Sequence, residues 1–265
     1  MKLLLLYFIL FFFPSYQIDQ SKAIIIYFSR AGENYSVGKV DKGNTEMIVD
    51  YLKEVTDIAA TFKINPETPY PENYQETVNL AREEKNSNAR PKIKDPLTDI
   101  SSYDYILLGY PIWHSDLPNI VMTQLETLDL EGKTIYPFNT HEGSGLGNSI
   151  NDIKNSAPKA TVKDGFALRG SEARKEDSHE SIRNWLKDKL EIDISNEKSE
   201  SNEETESNGG NESKGETGNN EGNESNGEDD FNDNNIGNSG GVQKFQNINF
   251  FKKSMILILL SLVIL

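Results

Sequence analysis

Three short stretches hold residue types that could do chemistry. In the first, Ser29-Arg30 is followed, after a long polar segment, by Gly43-Asn44-Thr45-Glu46 at the head of a helical pattern. Hydroxyls and unpaired backbone N–H groups at a helix N-terminus favour an anion, because the free donors and the helix dipole act together. The stretch lacks the Gly-Lys-Ser/Thr of a nucleotide P-loop and the tight G-x-G-x-x-G of a dinucleotide site. A monophosphate without magnesium therefore fits better than ATP or NAD, and an ordinary capped helix is the plainer account. In the second stretch, Gly109-Tyr110-Pro111-Ile112-Trp113-His114 puts a Trp just past an apolar run, where it either closes the core edge or forms a planar wall for an aromatic ligand. In the third, Thr140-His141-Glu142-Gly143-Ser144-Gly145-Leu146-Gly147 has three glycines in five residues, which either let a backbone approach a ligand or make a flexible connection.

These stretches matter only if the fold brings them together. Ala23–Phe28 is a short unbroken apolar run, the pattern of a strand buried on both faces of a parallel sheet. Further strands are predicted at Thr61–Ile64, Tyr105–Tyr110, Lys133–Phe138 and Thr161–Leu168, the last kinked or bulged at Gly165. Helical patterns fall at Asn44–Val55, Pro71–Lys85, Pro118–Leu128, from Gly147 to about Asn155, and at Ser178–Leu190. Ser29–Gly43 reads as loop. Strands alternating with helices predict an α/β doubly wound sheet, with any ligand beyond the carboxyl ends of the strands. The three stretches are the segments after the first, third and fourth predicted strands.

Composition separates this domain from the rest of the chain. Residues 22–194 have mixed charge and spaced apolar runs, whereas residues 195–241 are almost entirely Glu, Asn, Ser, Gly and Asp. The second segment cannot offset its ordering entropy and is expected to be a disordered, extended stalk. The net charge is -15, much of it in the second segment; the globular part is itself mildly acidic, which argues against nucleic acid as a partner. The absence of cysteine excludes disulfides, thiol nucleophiles and Cys-ligated metal centres.

Both ends are apolar. Met1–Phe13 has the layout of a secretory signal peptide, with cleavage near Ser15–Gln20, or alternatively of an uncleaved anchor. Small residues at Asn238–Gly241, a polar spacer and the apolar Met255–Leu265 match a GPI-attachment signal, or a short tail helix behind Lys252-Lys253. The expectation is a protein of the secretory pathway, membrane-anchored or at the cell surface. Asn34, Asn211 and Asn223 are glycosylation sequons.

Ile26–Tyr35, Lys42–Glu46, Gly109–Trp113 and Thr140–Gly147, in this order, resemble the flavodoxins, in particular a bacterial-type flavodoxin-like group, over about Ala23–Ile192. The resemblance implies a five-stranded parallel sheet of order 2-1-3-4-5 with helices on both faces, and one non-covalent FMN. By position, Ser29, Arg30, Asn44 and Thr45 would hold the FMN phosphate. Pro111, Ile112, Trp113 and His114 would flank the flavin ring on one side, and Thr140, His141, Glu142 and Gly143 on the other. The family often has Trp-Gly where this chain has His114-Ser115.

The expected function is electron transfer to a redox partner protein or a small-molecule acceptor. Glu33, Asp116 and Glu142 would supply negative charge near the flavin, and His114 or His141 a proton. Two alternatives remain: an FMN-dependent NAD(P)H:quinone-type reductase, and a surface-displayed protein whose flavin site has decayed.

Overall fold

The structure is a computed structural model and describes residues 17–192 and 194. The signal-peptide, stalk, C-terminal anchor and Asn211 and Asn223 sequon expectations lie outside these residues. In chain order the elements are β1 (Ala23–Tyr27), β2 (Gly32–Asn34), β3 (Gly38–Val40), α1 (Asn44–Val55), β4 (Ala60–Lys63), α2 (Tyr74–Ser87) and β5 (Tyr105–Pro111). They continue with α3 (Asn119–Glu126), β6 (Thr134–His141), α4 (Ser149–Ser156), β7 (Thr161–Val162), β8 (Phe166–Arg169) and α5 (Ser178–Trp185), whose last turn is π-helical over Leu186–Leu190.

The main sheet is parallel, of order β4-β1-β5-β6-β7, with β8 also paired to β6. Taking β7 and β8 as one edge position, this is the expected order 2-1-3-4-5. The edge strand is broken rather than kinked: β7 pairs with the start of β6 and β8 with its end, and Gly165 lies in the gap.

Every residue of β1 is buried, and its side chains alternate between two cores. Ala23, Ile25 and Tyr27 pack with Ile48 and Leu52 of α1 and with Ile182 and Trp185 of α5. Ile24 and Ile26, with Phe28 just beyond the strand, pack with Ile120, Val121 and Leu125 of α3 and Ile153 of α4. A period-2 strand with both faces apolar accounts for the helices on each side.

Three further expectations need correction. Ser29–Gly43 is not only loop: β2 and β3 form an antiparallel hairpin inside it, pairing Gly32 with Val40 and Asn34 with Gly38. Both strands are three residues long with no apolar alternation, so periodicity could not reveal them. Strand β6 runs to His141 rather than Phe138, because Asn139 and Thr140 continue the ladder to β5 and β8. Helix α3 starts at Asn119, with Pro118 as its extended N-cap rather than in its first turn. Among the described residues no helix is long and apolar enough to cross a membrane.

Candidate functional site

At the carboxyl ends of β1, β5 and β6 lies a cavity of about 430 Å³. Eleven of the twelve residues singled out in the sequence line it: Ser29, Arg30, Asn44, Thr45, Pro111, Ile112, Trp113, His114, Thr140, His141 and Glu142. Gly143 is not in the lining, although its N–H donates to His141 Nδ1 at 2.8 Å. The fold thus brings the three sequence stretches to one crevice.

The first turn of α1 forms one end. Gly43 precedes the helix in an extended conformation and supplies no side-chain cap. Ser29, nearly buried, fills part of that role: its Oγ accepts from the Glu46 N–H at 3.1 Å. The other first-turn N–H groups have no partner within a helix by construction. Thr45 and Thr140 bridge α1 to β6 through their hydroxyls at 2.8 Å. Asn44 Oδ1 accepts from Arg174 Nη1 at 3.1 Å, and Arg174 also donates to the Lys42 carbonyl at 2.9 Å. Arg174 was not singled out in the sequence, because nothing local ties it to a segment some 130 residues away.

Arg30 lines the cavity but its guanidinium is engaged elsewhere. It donates to the carbonyls of Ala31 at 2.7 Å, Pro71 at 3.0 Å and Glu72 at 3.3 Å, and to that of Glu33. The side chain therefore ties the hairpin to the segment entering α2. Burial holds its acidity constant below the ordinary guanidinium range.

The turn after β5 is aromatic and tightly braced. Trp113 packs edge-on against Phe28 and Tyr70, with centroids 5.3 and 4.8 Å apart. Trp113 and Asp116 exchange backbone hydrogen bonds, and His114 and Ser115 between them have φ of 49° and 65°. Two consecutive positive φ values make a type I′ turn, a position that ordinarily selects Asn-Gly. External bonds hold it: His114 Nε2 donates to the Val78 carbonyl at 2.9 Å, Lys85 Nζ donates to the His114 carbonyl at 3.2 Å and pairs with Asp116, and the Asn148 N–H donates to the Ser115 carbonyl at 2.7 Å.

Opposite stands the end of β6. Glu142 accepts from the Ser171 N–H at 2.8 Å and lies 3.9 Å from Arg169. Because Gly143 donates to His141 Nδ1, the neutral ring carries its proton on Nε2. Burial, followed by the Arg169 charge, lowers the His141 pKa. Behind the crevice, the Tyr110 hydroxyl bonds Ser149 Oγ at 2.9 Å, and burial pushes Tyr110 up to about 12. Of the carboxylates expected to face the cavity, Glu142 does. Glu33 instead accepts from Asn73 Nδ2 and the Tyr74 N–H, and Asp116 pairs with Lys85.

A third wall was not anticipated. Asn34 and Tyr35 from the hairpin, and Tyr74, Thr77, Val78, Ala81 and Arg82 from α2, also line the cavity, as does Gly170. The sequence does show Tyr74, Val78 and Ala81 as one helical face, but periodicity cannot tell a face that meets the core from one that meets a cavity. Among the described residues no group of three or more His, Cys, Asp or Glu could hold a metal ion.

A doubly wound parallel sheet with a crevice at the carboxyl ends of its central strands, walled by a helix N-terminus and an aromatic turn, has the arrangement of an α/β ligand-binding protein. The chain matches the flavodoxin family over residues 22–189 and belongs to it. It is similar to a solved protein from Bacteroides eggerthii, provisionally named a flavoprotein: 29% identity over 65% of this chain and 99% of that one, TM-score 0.50. A second, from Bacteroides uniformis and named in the same way, shares 25% identity over 63% of this chain and 98% of that one, TM-score 0.51. No curated protein matches the chain.

Proposed function

We propose that the domain binds one FMN non-covalently and carries electrons to a partner protein or a small-molecule acceptor. The observation that carries this reading is the single cavity shared by the first turn of α1, the Trp113 turn and the end of β6. The residues present suit the cofactor. Ser29, with the N–H groups of Asn44 and Thr45, would hold the phosphate by hydrogen bonds and the helix dipole. Arg30 would contribute backbone rather than charge, since its guanidinium already serves carbonyls. Pro111, Ile112, Trp113 and His114 would flank the ring on one side, and Thr140, His141 and Glu142 on the other, with Gly143 orienting His141. FMN, when bound, supplies the one- and two-electron chemistry. Glu142 places a carboxylate in the cavity and so opposes added negative charge there. Trp113 excludes water, and His141, neutral near pH 7, keeps an Nε2–H available as a donor.

The test is direct: purify the protein with excess FMN, remove free ligand and record the visible spectrum. About one equivalent of retained flavin is expected, and folded protein without flavin bands would overturn the reading. Mixing the loaded protein with NADPH separates carrier from reductase: a carrier stays coloured, a reductase bleaches rapidly.

The same proposal extends to location. The apolar ends and the acidic segment between domain and tail support a protein held at a membrane on an extended stalk. Release from cells by phosphatidylinositol-specific phospholipase C would indicate a lipid anchor, and retention a tail helix; recovery in the cytosolic fraction would refute attachment.

A further inference from the structure

The third wall of the cavity has a construction of its own. Glu33 is its keystone. Its N–H donates to the Glu72 carbonyl at 2.8 Å, and its carboxylate accepts from Asn73 Nδ2 at 2.9 Å and the Tyr74 N–H at 3.0 Å. Arg30 adds its bonds to Ala31, Glu33, Pro71 and Glu72 on the inner side. The hairpin is thereby locked to the head of α2, and Tyr35 at its tip meets Tyr74 with ring centroids 5.9 Å apart.

These rings are unusual in the molecule. Among the described residues, Tyr35 at 60% and Tyr74 at 37% are the large hydrophobic side chains left exposed, and both line this cavity. Neighbouring exposed aromatic rings, held in place by a polar network, are a costly arrangement unless something covers them. Two turns of α2 beyond Tyr74, Arg82 also lines the cavity, and among the described residues it forms no hydrogen bond or ion pair. Arg30 and Arg174 are both committed to oxygens of the protein, so Arg82 is the arginine left to meet a ligand. None of these three groups belongs to the turns that would hold FMN.

We propose that this wall is a second binding site in the same cavity, for a small planar aromatic anion such as an aromatic carboxylate or sulfonate. Tyr35 and Tyr74 supply the ring contact, and Arg82 pairs with the acid group. The inference rests on the flavin reading for its meaning: it names the class of small molecule that would sit beside the cofactor.

The probe is 2-naphthoate, with uncharged 2-naphthamide as its match, titrated calorimetrically into the full protein with and without FMN. Naphthoate is expected to bind the FMN-loaded protein and to be preferred over the amide. Arg82→Gln should weaken naphthoate about tenfold and leave the amide unchanged; Arg82→Lys should recover part of the loss. Tyr35→Ala should weaken both probes, while Tyr35→Phe, which keeps the ring, should behave as wild type. The FMN dissociation constant and visible spectrum should stay within about twofold in the Arg82 variants. Equal binding of acid and amide, or none by the loaded protein, overturns the proposal and leaves the FMN reading standing. Loss of FMN affinity in Arg82→Gln also overturns it, because Arg82 would then serve the cofactor phosphate. If wild-type protein retains no FMN but binds naphthoate in an Arg82- and Tyr35-dependent way, the cofactor reading falls and the wall stands.

Discussion

The two turns that face each other across the crevice solve the same backbone problem differently. After β5, the positive φ angles fall on His114 and Ser115, held in that conformation by the His114 ring on the Val78 carbonyl and by Lys85 and the Asn148 N–H on the two residues' own carbonyls. After β6, they fall on Gly143, Gly145 and Gly147. A Cβ at Gly143 or Gly145 would meet nothing within 4 Å, whereas one at Gly147 would run into the Ser115 carbonyl. The aromatic turn is therefore rigid because its neighbours brace it. The glycine turn is open over most of its length and touches the other turn at Gly147 and Asn148. Left-handed backbone marks a need for glycine only where no neighbour compensates.

Gly147→Ala should have the largest effect. Both the positive φ and the overlap with backbone oppose the new methyl, so a loss of about 3 kcal/mol is expected from urea unfolding. A loss under about 1 kcal/mol would mean the two turns are not in firm contact. Next comes Trp113→Ala, which removes the edge contacts to Phe28 and Tyr70. It should cost about 2–3 kcal/mol of stability and lower FMN affinity by more than about tenfold in a fluorescence titration. Unchanged FMN affinity would remove Trp113 from the ring site.

Gly145→Ala meets the conformational penalty alone and should cost about 1 kcal/mol; a cost equal to that of Gly147→Ala would erase the contrast between open and braced positions. Ser115→Gly relieves the strained turn and should stabilise by about 0.5 kcal/mol. Destabilisation would show that the Ser115 side chain contributes more than its backbone strain costs.

The smallest effect is on pH dependence. The His141 pKa is lowered in the fold, mainly by burial, so the unfolded chain takes up the proton first as pH falls. Stability should therefore begin to drop near the ordinary histidine value of 6.5 and stop dropping below the lowered folded value. His141→Gln should flatten that part of the curve, and an unchanged profile would place the titration elsewhere.

Much of this was legible along the chain. Apolar runs such as Ala23–Phe28 and Tyr105–Tyr110 announce strands buried on both faces, and the helix at Asn44–Val55 is bounded as its stripe predicts. The three candidate stretches could be placed at strand ends because strands alternating with helices predict a doubly wound sheet, whereas the strand order was implied by the resemblance to the flavodoxins. Less legible were the partners of each charge. Arg30 looks like a phosphate ligand in the sequence and is a brace for the hairpin in the structure, since carbonyls of Pro71 and Glu72 arrive from about forty residues away.

Local patterning, then, determined the sheet, its helices and which loops share a rim, because hydrophobic period and turn chemistry act between near neighbours. Only the folded chain decided that α2 and the β2–β3 hairpin close the cavity with Tyr35, Tyr74 and Arg82, and that Arg174 reaches Asn44. Those contacts join segments whose approach depends on packing across the sheet, and no short-range pattern encodes such distances.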